Sequence, residues 1–132
     1  MYASHTFHEI QQPYHMRMIR DRNYKFIWNL NYQMTFPVLG ENGENWASKI
    51  KNGELTHIGI RPVEDYLMRP QYELYDMQND TVEINNLAYH PEYSRIKEYY
   101  LRKIHQFQHD TDDPWELYQG YDELQRVMDD TY

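Results

Sequence analysis

The chain is 132 residues long with a formal net charge of −8, no cysteine and 14 tyrosines, a length that sets the expectation of one domain. Zero cysteine excludes a disulfide scaffold, a Cys-ligated zinc or iron–sulfur site and a thiol nucleophile, though it leaves the compartment open. An acidic balance argues against a general nucleic-acid binder, no apolar run approaches the about 20 residues of a membrane-spanning helix, and the first residues lack the apolar stretch of a secretory leader.

In chain order, Thr6 to Ile10 is the first strand candidate, bounded by Pro13. Met16 to Arg20 is a short mixed run, and after the polar turn Asp21-Arg22-Asn23 the residues Tyr24, Phe26, Trp28 and Leu30 alternate with Lys25, Ile27 and Asn29. That period-2 pattern with one aromatic face predicts an antiparallel hairpin. Residues 37–71 are punctuated by Gly40, Gly43 and Gly53; a short helix is predicted from Asn45 to Lys51, and the remainder reads as an irregular excursion. Loops of that length usually serve a site or an interface. Tyr72 to Met77 returns to a strand, Gln78-Asn79 turns the chain, and Asp80 with Glu83 has capping-box spacing for a short helical turn. The clearest helix runs from Pro91, suited to a first helical position, to about His109, with Tyr93, Ile96, Tyr100, Ile104 and Phe107 forming one apolar stripe. Asp110 to Pro114 stops it, and Tyr121 to Met128 is a candidate last helix. The expected fold is α+β: a small antiparallel β-sheet packed against a long C-terminal helix, over residues 1–118, followed by an acidic tail at 119–132. Between Asp110 and Tyr132 there are eight acidic residues against the single basic Arg126, so the body of the chain is nearly neutral.

Several groups carry chemistry without fixing it. His5, His8 and Glu9 lie close together, and His105 and His109 are spaced i,i+4 on the long helix, but no third ligand has a metal-site spacing. Solvated histidines near a helix C-terminus explain the second pair equally. An EF-hand loop is excluded, because Pro114 and Trp115 fall where an oxygen ligand and a glycine are required. His8 and Glu9 suit an acid/base pair or contacts to a polar substrate, and with Arg17 they suit an anionic group such as a sulfate; an ordinary polar strand edge accounts for the same pattern. The stretch Arg17, Arg20, Arg22 and Lys25 is equally a steering patch or the solvated side of a hairpin. Tyr24, Tyr72, Tyr93 and Tyr100 are expected on buried faces, which limits the tyrosines left for stacking on sugars.

A resemblance goes further than these patterns. Glu73 to Ala88, reading ELYDMQNDTVEINNLA, resembles the ELYDL-x-x-DP-x-E-x-x-NLA signature of sulfatases. His15 to Leu30 resembles the sulfatase strand pair PMR-x-V-R-x-x-x-YKYI-x-NL. Ser4 to Glu9, Asn29 to Pro37 and Thr111 to Trp115 narrow the likeness to the sulfamidase (heparan N-sulfatase) branch, and together the segments span roughly residues 4–118. Thr81 stands where the signature has proline.

The resemblance implies a C-terminal sulfatase subdomain beside a larger α/β domain. That larger domain would hold calcium and a formylglycine made from Cys or Ser in a C/S-x-P-x-R motif. The motif does not occur in this chain, so no catalytic residue and no cofactor is assigned to it, and by itself it is expected not to hydrolyse sulfate. What carries over is on the substrate side. The substrate-side candidates are His5, His8, Glu9 and Arg17. The segment His5 to Glu9 matches one that leads toward the active-site cleft, and Arg17 matches the strand arginine of that branch. Of these, His8 and Glu9 are the leading glycan contacts and Arg17 the more structural. The expected activity is that of a hydrolase acting on sulfated glycosaminoglycan, as sulfate ester or sulfamide. The expected partners are the larger sulfatase domain, a sulfated glycan and a second copy in a homodimer. The complete enzyme would reside in a periplasmic, extracellular or lysosomal space. Two other readings stand beside this one: a free-standing, non-catalytic module binding an anionic glycan or a protein, and a metalloenzyme built on the histidines. A large exposed apolar patch is required by the first reading and not by the module.

Overall fold

The structure, a computed structural model, describes residues 1–7, 13–36 and 43–116. Four strands form one antiparallel sheet: β1 (Tyr2–Phe7), β2 (Pro13–Arg20), β3 (Tyr24–Asn29) and, after a long excursion, β6 (Tyr72–Asp76), in the order β1-β2-β3-β6. The excursion contains helix α1 (Gly43–Lys51), a two-residue strand pair β4 (His57–Ile58) and β5 (Arg61–Pro62), and helix α2 (Val63–Leu67). A 3₁₀ turn at Pro91–Tyr93 then leads into the long helix α3 (Ser94–Asp110). This is the expected α+β arrangement of a small antiparallel sheet and a long C-terminal helix.

The aromatic alternation builds the core. Ile19 pairs with Phe26, and Phe26 with Leu74, so side chains of β2, β3 and β6 share one face. That face receives Tyr100 and Ile104 of α3, with Trp28 and Ala88 completing the buried cluster. Tyr24, Tyr72 and Tyr93 pack against it half-buried, and Phe107 stacks on Tyr2 at 4.3 Å. The turn between β2 and β3 is set by Asp21, whose Oδ1 accepts the amides of Asn23 and Tyr24 at 2.8 and 2.9 Å. Its other oxygen accepts the Tyr100 hydroxyl, which ties the hairpin turn to α3.

The opposite face of the sheet is also covered. Ile27 and Glu73, paired across β3 and β6, are 6% and 2% exposed. Over this side lie Phe36 and Tyr66 of the excursion: Phe36 meets Tyr14 edge to face at 4.9 Å and Tyr66 at 5.4 Å. The segment read as an irregular excursion therefore forms a second layer. Its small elements escape periodicity because β4 and β5 have two residues each and α2 has five. Gly59, with φ of 62°, occupies the turn joining β4 to β5, a conformation other residues adopt at a cost.

Two readings differ from expectation. The first strand begins at Tyr2 and not at Thr6; residues 8–10 lie outside the described residues. The helical turn expected at Asp80–Glu83 does not form. Glu83 adopts a left-handed φ of 57° and its side chain reaches Lys25 at 2.6 Å, while the Asp80 carboxylate takes the amides of Ile84 and Asn85. The capping residues are thus used for a non-helical loop. The candidate helix 121–128, the tail and the boundary at 118 also fall outside the described residues.

Candidate functional site

Two polar centres lie on opposite faces of the sheet. The first is built where the end of α3 meets β1 and β2. Arg17, in the middle of β2, is only 4% exposed, which requires that its charge be paired. Its Nε and Nη2 donate to the two oxygens of Asp113 at 2.5 and 2.7 Å, and its Nη1 donates to the carbonyls of Met16 and His5 at 2.9 and 3.4 Å. Asp113 in turn accepts the Trp115 amide at 2.9 Å, and the Trp115 ring stacks on buried His15 at 3.5 Å. The hydrogen bonds from Arg17 hold the Asp113 carboxyl below the usual carboxylate range, more than offsetting the opposite effect of its burial. Arg17 thereby joins the end of α3 to the carbonyl of His5.

His5 is half-buried in β1, opposite Met16. His8 and Glu9 lie outside the described residues, so of the sequence-derived candidates the structure brings together Arg17 and the backbone of His5. Arg17 spends its planar donors on Asp113 and two carbonyls, as a positioning group does.

The histidines of α3 do not converge. His105 is half-buried, edge-on to Trp28 at 5.0 Å, and burial lowers its pKa, with a hydrogen bond to Gln108 acting the other way. His109 is exposed and places Nδ1 3.0 Å from Glu116. Among the described residues no three His, Asp or Glu side chains gather as a metal site.

The second centre was not singled out from the sequence. Glu73 sits under the excursion with its side chain 2% exposed. It accepts from Asn29 Nδ2 at 2.7 Å and from the Tyr75 hydroxyl at 2.6 Å. Arg61 and Arg69 stand 4.0 and 3.9 Å from its oxygens. Burial, reinforced by Glu73, pushes the Tyr75 hydroxyl well above its ordinary range. Arg69 also places its guanidinium carbon over Phe36, 4.2 Å from the ring centre. Glu73 was legible as the first residue of a signature, but its burial depends on a layer the pattern did not reveal.

Two clefts open beside this centre and share Arg61 and Glu73. One, of about 340 Å³, includes Met68 and Ile84; the other, of about 430 Å³, includes Ile60 and Val82. These four side chains are 47–58% exposed, Ile84 least and Ile60 and Val82 most. Beside α3 the arrangement is different: Lys97 lies over the rings of Tyr72 and Tyr89, and Lys103 over Tyr99, so ammonium groups stand over the exposed Tyr89 and Tyr99.

With a small sheet, a long helix and sulfatase-like segments at both polar centres, the chain is related to sulfatases and fits the C-terminal part of one. It is 28% identical over 120 residues to the human (Homo sapiens) protein N-sulphoglucosamine sulphohydrolase, covering 87% of this chain and 24% of that protein. It is 36% identical over 91 residues to an ulvan-active sulfatase of Formosa agariphila, covering 67% of this chain and 16% of that protein. The chain thus spans no more than a quarter of the length of either relative. No family model matches the sequence.

Proposed function

We propose that this chain completes the fold and the substrate pocket of a sulfatase-family hydrolase acting on sulfated glycosaminoglycan, and that it has no catalytic centre of its own. The observation that carries the reading is the clamp of Arg17 between Asp113 and the His5 carbonyl. It fixes the strand that leads into His8 and Glu9, the residues proposed to meet the glycan. A nearly neutral body suits the approach of an anionic polymer, because most of the net negative charge is carried beyond His109. The name of the human relative specifies N-sulphoglucosamine, which favours a sulfamide or sulfate ester on an amino sugar as the group bound. Calcium and formylglycine belong, in this reading, to the larger domain, which is the chain's main partner.

The exposed apolar rim around Arg61 and Glu73 favours this reading over the free-standing glycan-binding module, for which no such surface is required. The test is kinetic. In a polypeptide that unites a sulfatase catalytic domain with this chain, His8→Ala and Glu9→Ala should lower kcat/KM for an N-sulfated glucosamine oligosaccharide by about tenfold or more, the cost of a lost charge-assisted contact. Unchanged kcat/KM in both variants removes the substrate-pocket role.

A further inference from the structure

The two faces of the molecule are finished differently. On the α3 side the exposed Tyr89 and Tyr99 lie near lysine ammoniums, at 5.8 Å for Lys97 and 5.7 Å for Lys103. Such a face is already solvated. On the excursion side, four apolar side chains from three separate segments converge on adjoining clefts: Ile60 from the β4–β5 turn, Met68 after α2, and Val82 and Ile84 from the loop after β6. Each is about half exposed or more, and Ile60 and Val82 reach 58%. Several of the charges beneath them are matched within the molecule. Lys25 pairs with Glu83 at 2.6 Å, and Arg61 donates to the Glu83 carbonyl and to the Tyr75 hydroxyl. The surface therefore presents hydrocarbon around a floor whose Lys25, Arg61, Glu73 and Glu83 are paired within the chain, closer to the composition of an interface centre than to that of an ion-binding site.

We infer that this rim, formed by Ile60, Met68, Val82 and Ile84, is the surface on which the larger sulfatase domain docks. The inference rests on the reading above, which supplies the occupant. The length of the relatives supplies the need: this chain matches 24% of one and 16% of the other, so in each most of the polypeptide is available to cover a neighbour. The occupant would bring an apolar surface, since Lys25, Arg61, Glu73 and Glu83 of the floor already have partners within the chain.

The experiment uses the 132-residue chain and a separately purified catalytic domain of an N-sulphoglucosamine-type sulfatase, with association followed by calorimetry and sedimentation. Ile60→Asp combined with Ile84→Asp should leave the thermal unfolding of the chain within a few degrees of the parent, because both side chains are exposed. The same pair should weaken association about tenfold or more. Tyr99→Asp, on the α3 side, should leave association unchanged. If Tyr99→Asp weakens association and the double variant does not, the docking face is wrong while the sulfatase reading stands. If the parent chain is folded and binds no sulfatase catalytic domain, both fail. A stable dimer of the chain that the double variant dissociates assigns the rim to a second copy and overturns the inference.

Discussion

Arg17 and Asp113 show how one buried pair can organise the end of a molecule. They lie 96 residues apart in sequence, and their side chains are 5% and 8% exposed. Removing one partner strands the other charge away from water, which is costlier than losing a surface ion pair. Asp113→Ala should therefore destabilise the chain by about 3 kcal/mol, read as a lowered midpoint in urea unfolding. The linkage has a definite sign. The folded Asp113 carboxyl titrates below its ordinary value, so its contribution is present above about pH 4, the unfolded value, and is lost as pH falls through the folded one. Asp21 adds to the same window: burial raises its carboxyl, but the hydrogen bonds from the Tyr100 hydroxyl and the Tyr24 and Asn23 amides outweigh this and lower it. Acid titration followed by circular dichroism should show stability falling below pH 4, and Asp113→Ala should flatten that fall. On the other face, Tyr75→Phe leaves the Glu73 carboxylate short of one donor and should cost about 1–3 kcal/mol in the same unfolding assay.

Among the elements, the edge of β6 is closed by side chains and not by another strand. Asn86 Oδ1 accepts the amides of Leu74 and Ala88, its Nδ2 donates to the Tyr72 carbonyl, and the Leu87 amide donates to the Leu74 carbonyl. Asn86→Ala opens this edge and should lower stability by about 2 kcal/mol, with faster amide exchange confined to β6 and residues 86–88. The strand pair β2–β3 and helix α3 were legible because both obey a clean period: alternation in Tyr24, Phe26 and Trp28, and three-to-four spacing in Tyr93, Ile96, Tyr100 and Ile104. The loop at Asp80–Glu83 was not, because capping-box spacing states only which groups can bond, and the Lys25–Glu83 pair draws Glu83 elsewhere. The second layer was missed for a related reason. Its elements are held by tertiary contacts such as those among Phe36, Tyr66 and Arg69, to which no local pattern corresponds.

For the whole molecule, both faces of the sheet are covered, yet the two coverings differ in what they leave exposed. Motif order along the chain pointed to a sulfatase relative before any contact was visible, and the related sulfatases agree. The docking rim was not legible, because Ile60, Met68, Val82 and Ile84 share no spacing and meet only through the fold. The central claim, that this chain is the completing part of a sulfatase, is tested most directly by sulfate release from an N-sulfated glucosamine oligosaccharide. A sulfatase catalytic domain would be assayed with the chain, without it, and the chain alone. The account expects release only when both parts are present. Full release by the larger domain without the chain, or release by the chain alone, would contradict it.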